Sequence, residues 1–147
     1  MTTRKAALAE ETWAAFTRAM DTFRDSWLAA GRSLELNPGE MRALEALAAD
    51  EAQPMGALAR ALRCDASNVT WLADRLEARG FVERHTAPTD RRVKTLLLTN
   101  AGRAAQRQAQ EQLRMPPEAL LALSIPELRT LRELMTKCWE HAPGGRG

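Results

Sequence analysis

Branched apolar side chains are almost missing from this chain. Ile and Val together number 4 against 47 Ala and Leu, and there is no Tyr. Strands draw on β-branched and aromatic residues, whereas Ala and Leu are strong helix formers. The composition therefore excludes a large sheet and leaves room for one small hairpin in a helical fold. At 147 residues the chain has the length of one domain and can bury a core without a disulfide or metal staple. Its two cysteines, Cys64 and Cys138, are too few for a disulfide framework. No apolar run approaches a membrane span, and the start Met1-Thr-Thr-Arg-Lys5 lacks a secretory signal, so a cytoplasmic protein without membrane contact is expected.

Residues 4–32 contain no Pro and no Gly before Gly31, and read as one long helix. Trp13, Phe16, Met20, Phe23 and Trp27 recur at intervals of 3, 4, 3 and 4, a row over two heptads. Such a stripe packs on its own domain or on a second copy, and a helix this long in a domain this small favours the second copy. Asn37-Pro38-Gly39-Glu40 is a strong helix start, with a capping residue, Pro at the first helical position and Glu at the third. A short helix follows to about Asp50, with Met41, Leu44 and Leu47 as its apolar face, and Pro54 opens another carrying Met55, Leu58 and Leu62. Asp65 caps a further helix that stops at Gly80. Its inner positions are Val69, Leu72, Ala73 and Leu76, and its outer face carries Ser67, Thr70, Trp71 and Asp74, flanked by Asn68 and Arg75.

Two short helices with hydrogen-bonding side chains facing out from the second make a helix-turn-helix pattern. The only segments of strand character come next, Phe81–Thr86 and Val93–Leu98, around the turn-forming stretch Ala87-Pro-Thr-Asp-Arg-Arg92. A hairpin in that place is a wing. A helix from Thr99 to about Arg114, a break at Met115-Pro-Pro117 and a last helix opened by Ser124-Ile-Pro-Glu127 complete the order. Charge is divided along the chain in the same sense. Residues 1–53 sum to −3, 54–103 to +4 and 104–147 to +1, which returns the formal net charge of +2. A basic middle points to nucleic acid, and 18 of the 21 basic side chains are Arg, suited to phosphate and guanine.

The stretch Cys64-Asp-Ala-Ser-Asn-Val-Thr-Trp-Leu-Ala-Asp-Arg-Leu-Glu-Ala-Arg-Gly-Phe-Val-Glu-Arg84 resembles the recognition helix and first wing strand of the MarR (multiple antibiotic resistance regulator) family. Asp90-Arg-Arg92, then Leu98-Thr99 and Gly102, is similar to that family's wing pattern. The resemblance implies a mostly α fold with a small β-hairpin wing: a winged helix-turn-helix with long N- and C-terminal dimerisation helices. The expected division is 1–36 for the N-terminal dimerisation helix, 37–99 for the DNA-binding lobe, 100–142 for the C-terminal dimerisation helices and 143–147 for a disordered tail. Trp71 departs from the family pattern, in which a small or polar residue is commoner at that outward position; a Trp there meets thymine methyl groups and sugar edges or folds back onto the wing.

The implied function is a sequence-specific regulator of transcription, a repressor, binding a pseudo-palindromic double-stranded operator as a homodimer in a bacterial or archaeal nucleoid. Ser67, Asn68, Thr70, Trp71 and Arg75 are the candidate direct contacts, because short polar side chains and Arg reach base edges and phosphates from a helix. Arg91 and Arg92 sit where a wing tip enters the minor groove, with Arg92 the inserting residue by resemblance. Arg84 and Lys94 on the wing strands suit phosphate contacts. Asp74 and Asp90 are expected to hold wing and recognition helix in register, through pairs such as Asp74–Arg92 or Asp90–Arg75. The family also implies a small aromatic or phenolic carboxylate as a releasing ligand. Trp13, Phe16, Met20, Phe23 and Trp27 would wall its pocket or form the dimer core, with Arg18, Arg24 and Arg42 as carboxylate partners.

Other classes are weaker. A winged module that docks on protein leaves the basic middle incidental. A thiol-based redox sensor would use Cys64, which precedes a helix N-terminus, but a small, inert, partly buried thiol suits that place as well. Cys138 and His141 are helical neighbours, yet only His85 and Cys64 remain to complete a site, so neither metal nor cofactor is expected. No nucleophile–base pair or phosphate-binding Gly loop marks an enzyme.

Overall fold

The computed structural model describes residues 3–140; the expected tail at 143–147, and His141, lie outside the described residues. The chain divides into two compact units, residues 1–113 and 114–147. Helix α1 (Thr3–Ser33) runs unbroken for 31 residues. It ends where Leu36 N–H donates to the Gly31 carbonyl, and Glu35 takes the left-handed conformation (φ 56°) that reverses the chain. Helix α2 (Pro38–Ala46) starts with a full capping box. The Asn37 side chain accepts from Glu40 N–H at 2.9 Å, and Glu40 Oε2 accepts from Asn37 N–H at 3.0 Å. At the other end of α2, the buried Gln106 amide donates to the Leu44 and Leu47 carbonyls at 2.9 and 2.8 Å, capping the helix from 59 or more residues away.

A two-residue strand β1 (Gln53–Pro54) precedes α3 (Met55–Leu62), and α3 ends at Arg63 in the left-handed region (φ 53°). Asp65 caps α4 (Ala66–Ala78) by accepting from Asn68 N–H at 2.8 Å. Gly80 (φ 72°) turns the chain into β2 (Val82–Ala87), which pairs antiparallel with β3 (Asp90–Leu98). β1 pairs on the other edge of β3, giving the order β1-β3-β2. The expectation of strands in the hairpin alone is thus corrected. Gln53 and Pro54 add a third strand opposite Leu96 and Thr95 because β3 presents a free ladder edge to the chain returning from α2.

The core of the first unit gathers one face of each element: Met41 and Leu44 of α2, Leu58 of α3, Leu72 and Leu76 of α4, Val82, Leu96 and Leu98 of the hairpin, and Ala105 and Ala109 of α5 (Asn100–Arg114). The Leu98-Thr-x-x-Gly102 pattern has a packing reason. Leu98 is buried, the Thr99 hydroxyl donates to the Gly80 carbonyl and accepts from Gly102 N–H, and a Cβ on Gly102 would lie 1.9 Å from the Phe81 carbonyl oxygen. Only glycine lets α5 approach the start of the wing that closely. The second unit holds a four-residue helix α6 (Glu118–Leu121) and α7 (Ile125–Glu140), neither of which buries a side chain. Ser124 opens α7, its N–H and hydroxyl both donating to Glu127.

Candidate nucleic-acid interface

Helix α4 displays its polar face because Val69, Leu72, Ala73 and Leu76 take the opposite face into the core. Ser67, Asn68, Thr70, Trp71 and Arg75 are all exposed. Two of the hydroxyls are already oriented. Ser67 Oγ donates to Asp65 at 2.6 Å and Thr70 Oγ1 donates to the Ala66 carbonyl at 2.9 Å, so both keep only acceptor capacity toward a partner. The Ser67 hydroxyl and Asn68 N–H hold the Asp65 carboxyl below its ordinary value. Trp71 is half exposed.

The wing is fastened to this helix by a cation that sequence spacing had placed elsewhere. Arg84 lies on the same face of β2 as the buried Val82, which turns it over α4. Its Nη2 donates to Asp74 Oδ1 and to the Thr70 carbonyl, and Glu77 lies 3.7 Å from its Nε. Arg84 thus clamps the wing to α4, a set of partners the sequence did not indicate. Neither expected Asp–Arg pair forms. Asp74 takes Arg84, Asp90 accepts from Arg92 N–H at 2.9 Å in a local turn, and Arg75 reaches Glu40 of α2. The reason is position: Arg75 and Arg79 lie one turn apart on the flank of α4 that faces the start of α2. Arg91, Arg92 and Lys94 remain exposed along the wing, Lys94 donating to Thr86 Oγ1 at 3.1 Å.

Beneath α4, Glu40 is 1% exposed. Its Oε1 accepts from Arg75 Nε at 2.9 Å, and its Oε2, already bound by Asn37 N–H, lies 3.8 Å from Arg79 Nε. Arg79 also reaches Glu35 at 3.6 Å. Burial pushes the Glu40 carboxyl up, but the Asn37 N–H and the two guanidinium groups outweigh it and hold it below the ordinary carboxylate value.

A second feature lies between α1 and α2. Of the residues proposed as ligand walls, Met20, Phe23 and Trp27, with Arg24 and Arg42, line an open cleft of about 450 Å³. Trp13 and Phe16 stack on each other further up α1, at 5.6 Å between ring centroids, and with Arg18 take no part in it. Sequence reasoning missed Glu45 and Asp21, which bring negative charge to the same cleft. Trp27 Nε1 donates to both Glu45 oxygens at 3.1 and 3.0 Å, and Asp21 pairs with Arg24 at 3.2 Å. Among the described residues no group of three or more His, Cys, Asp or Glu gathers for a metal, and no helix is long and apolar enough to cross a membrane.

Residues 36–94, from the turn before α2 to the middle of β3, match the model of the MarR family. The chain carries a MarR-family domain. Its fold recurs in YusO from Bacillus subtilis, which is 20% identical at a TM-score of 0.77 over 93% of this chain and 98% of that one. The transcriptional repressor CouR, bound to a 23-mer DNA duplex, is 26% identical at a TM-score of 0.63, covering 89% of this chain and 94% of its own. An S. aureus MepR variant bound to an oligodeoxyribonucleotide is 18% identical at a TM-score of 0.72, covering 86% and 94%. No curated protein sequence matches the chain. The MarR-family domain thus coincides with the elements that carry the exposed polar face of α4 and the wing.

Proposed function

We propose that this protein is a sequence-specific transcriptional regulator, a repressor, which binds a pseudo-palindromic DNA operator as a homodimer. The observation that carries the reading is one continuous surface: the polar face of α4, clamped through Asp74–Arg84 to a wing with Arg91, Arg92 and Lys94 exposed. A helix of this kind reads the major groove while basic wing side chains reach phosphates and the adjacent minor groove. The likeness to CouR and MepR, both described on DNA, supports it. In this reading residues 37–99 bind DNA, and 1–36 and 100–142 bury the exposed apolar rows of α1 and α7 against a second copy, as closed two-fold symmetry requires. A small aromatic or phenolic acid would occupy the cleft between α1 and α2, whose volume suits such a ligand, with Arg24 or Arg42 meeting its carboxylate and release following from a change in lobe spacing.

Gel shifts against a genomic fragment library, repeated over a salt series, test the reading. A few fragments should bind far above the rest, and log affinity should fall linearly with log salt. Equal affinity for every duplex at every salt concentration would refute it. Replacing both Arg91 and Arg92 by Ala should abolish the complex; a winged module that docks on protein instead would leave the DNA result unchanged. Thermal-shift screening of aromatic acids and phenols tests the ligand.

A further inference from the structure

Glu40 has two jobs, and a helix start accounts for only one. Its Oε2 closes the capping box on Asn37 N–H, which fixes the carboxylate rigidly at the first turn of α2. Its Oε1 points the other way, to Arg75 of α4, 35 residues along the chain. The contact is made through Nε, the inner edge of the guanidinium, at 2.9 Å. Among the described residues neither terminal nitrogen of Arg75 has a hydrogen-bond or ion-pair partner, and the side chain is half exposed on the flank of α4, beside its outer polar face. The guanidinium is planar and delocalised, so a hydrogen bond at Nε sets the direction in which the two terminal nitrogens fork. That fork is the group that pairs with O6 and N7 of a guanine.

We propose that Glu40 is a specificity-determining positioning residue: buried beneath α4, it holds Arg75 by its inner edge and so decides which base the guanidinium reads, and that this base is a guanine. The inference rests on the reading of α4 as the DNA-facing helix. Charge supports the direction of the effect. A carboxylate held ionised at neutral pH makes a charge-assisted bond to Nε, and its partner Arg79 sits far enough away, at 3.8 Å, to leave the closer contact to Arg75. Ser67 and Thr70 have spent their donors on the helix itself, so Arg75 is the strongest donor left on this face for a purine edge.

The test is selection from a randomised duplex pool with the full-length protein, its Glu40→Gln variant and its Arg75→Lys variant, sequencing the bound DNA. Gln keeps the capping box with its one amide oxygen and turns its NH2, a donor, toward Arg75 Nε–H, so the hold on the guanidinium is lost together with the charge. The wild type should enrich guanine at one position of each half-site about tenfold over the other bases. Glu40→Gln should lower that preference roughly fivefold while every other position, and the salt dependence, stay as they were, because a phosphate contact would weaken all sequences alike. Arg75→Lys keeps the charge but has no Nε edge to be held, and should lose the same preference. In the Arg75→Lys background the added Glu40→Gln change should do nothing further. A Glu40→Gln profile that superimposes on the wild type, or that falls evenly at all positions, overturns the inference; so does an Arg75→Lys protein that keeps the full guanine preference, even where Glu40→Gln fails to fold. A wild-type pool with no enriched sequence at all overturns the DNA reading and this inference with it.

Discussion

The winged lobe and the first helix share the same apolar periodicity and end in opposite states. In α2 and α4, Met41, Leu44, Leu72 and Leu76 are all but inaccessible, whereas on α1 Trp13, Met20 and Phe23 are 62, 51 and 52% exposed. Only Ala30 and Gly31, at the end of α1 nearest α2, are buried. A helical repeat says which side chains share a face, and nothing about what will cover that face. The lobe completes its own core because α2, α3, α4 and the hairpin converge. Helix α1 presents a row of large apolar residues for which the lobe has no opposing surface, the kind of patch a second copy covers.

The comparison can be broken most forcefully from the lobe side. Leu44→Ala removes a fully buried side chain from the centre of the core, and should cost about 3 kcal/mol of unfolding free energy in urea titration. A cost near zero would mean that the lobe core carries little of the stability. Next in size is Glu40→Gln, which should cost about 2 kcal/mol at neutral pH. The single amide oxygen of Gln serves only one of the two donors Glu40 accepts from, so the charge-assisted bond to Arg75 Nε is lost outright. Because the folded Glu40 carboxyl is held below its ordinary value of 4.5, its contribution is whole above that value and fades as pH falls through the lower, folded one. The gap in stability between wild type and variant should therefore be constant from pH 7 to about 5 and close in more acid solution. A gap that widens with acid would reverse the assigned sign. The smallest effect on the lobe belongs to α1. Changing Trp13 and Phe23 together to Ser should alter lobe stability by no more than about 0.5 kcal/mol, since both side chains are already exposed. Sedimentation should nonetheless show the wild type as a dimer and the double variant as a monomer, with the concentration dependence of melting lost.

Much of the fold was legible because its signals are local. The Asn37–Glu40 capping box, the Asp65 cap, the Gly80 stop and the Ser124–Glu127 start each act within about four residues, and each is found where the sequence placed it. The exposed positions of α4 were legible for the same reason, since helical geometry assigns faces once a few inner residues are known. Strand β1 was not: two residues with a Pro carry no strand pattern, and they pair only because β3 offers an edge. Gln106, a polar residue on a helix with little apolar content, gave no sign that its amide would cap α2. At the cleft, the aromatic row of α1 was visible, but the Glu45 carboxylate that takes the Trp27 N–H comes from another helix 18 residues away.

For this protein the sequence by itself determined the order and type of the longer helices and of the hairpin, and which side chains of α4 face outward, since caps, turns and periodicity depend on neighbours a few residues apart. Only the tertiary structure decided the pairing of charges. Asp74 and Arg84 meet across 10 residues, and Arg75 meets Glu40 across 35, in preference to the Asp–Arg pairs that composition equally allowed. Coulomb attraction does not distinguish one carboxylate from another, and an exposed pair gains too little to choose its own geometry. The choice falls to the packing of the apolar faces, which brings the flank of α4 over the start of α2 and turns β2 toward α4, and the charged groups pair with whatever that packing has set beside them.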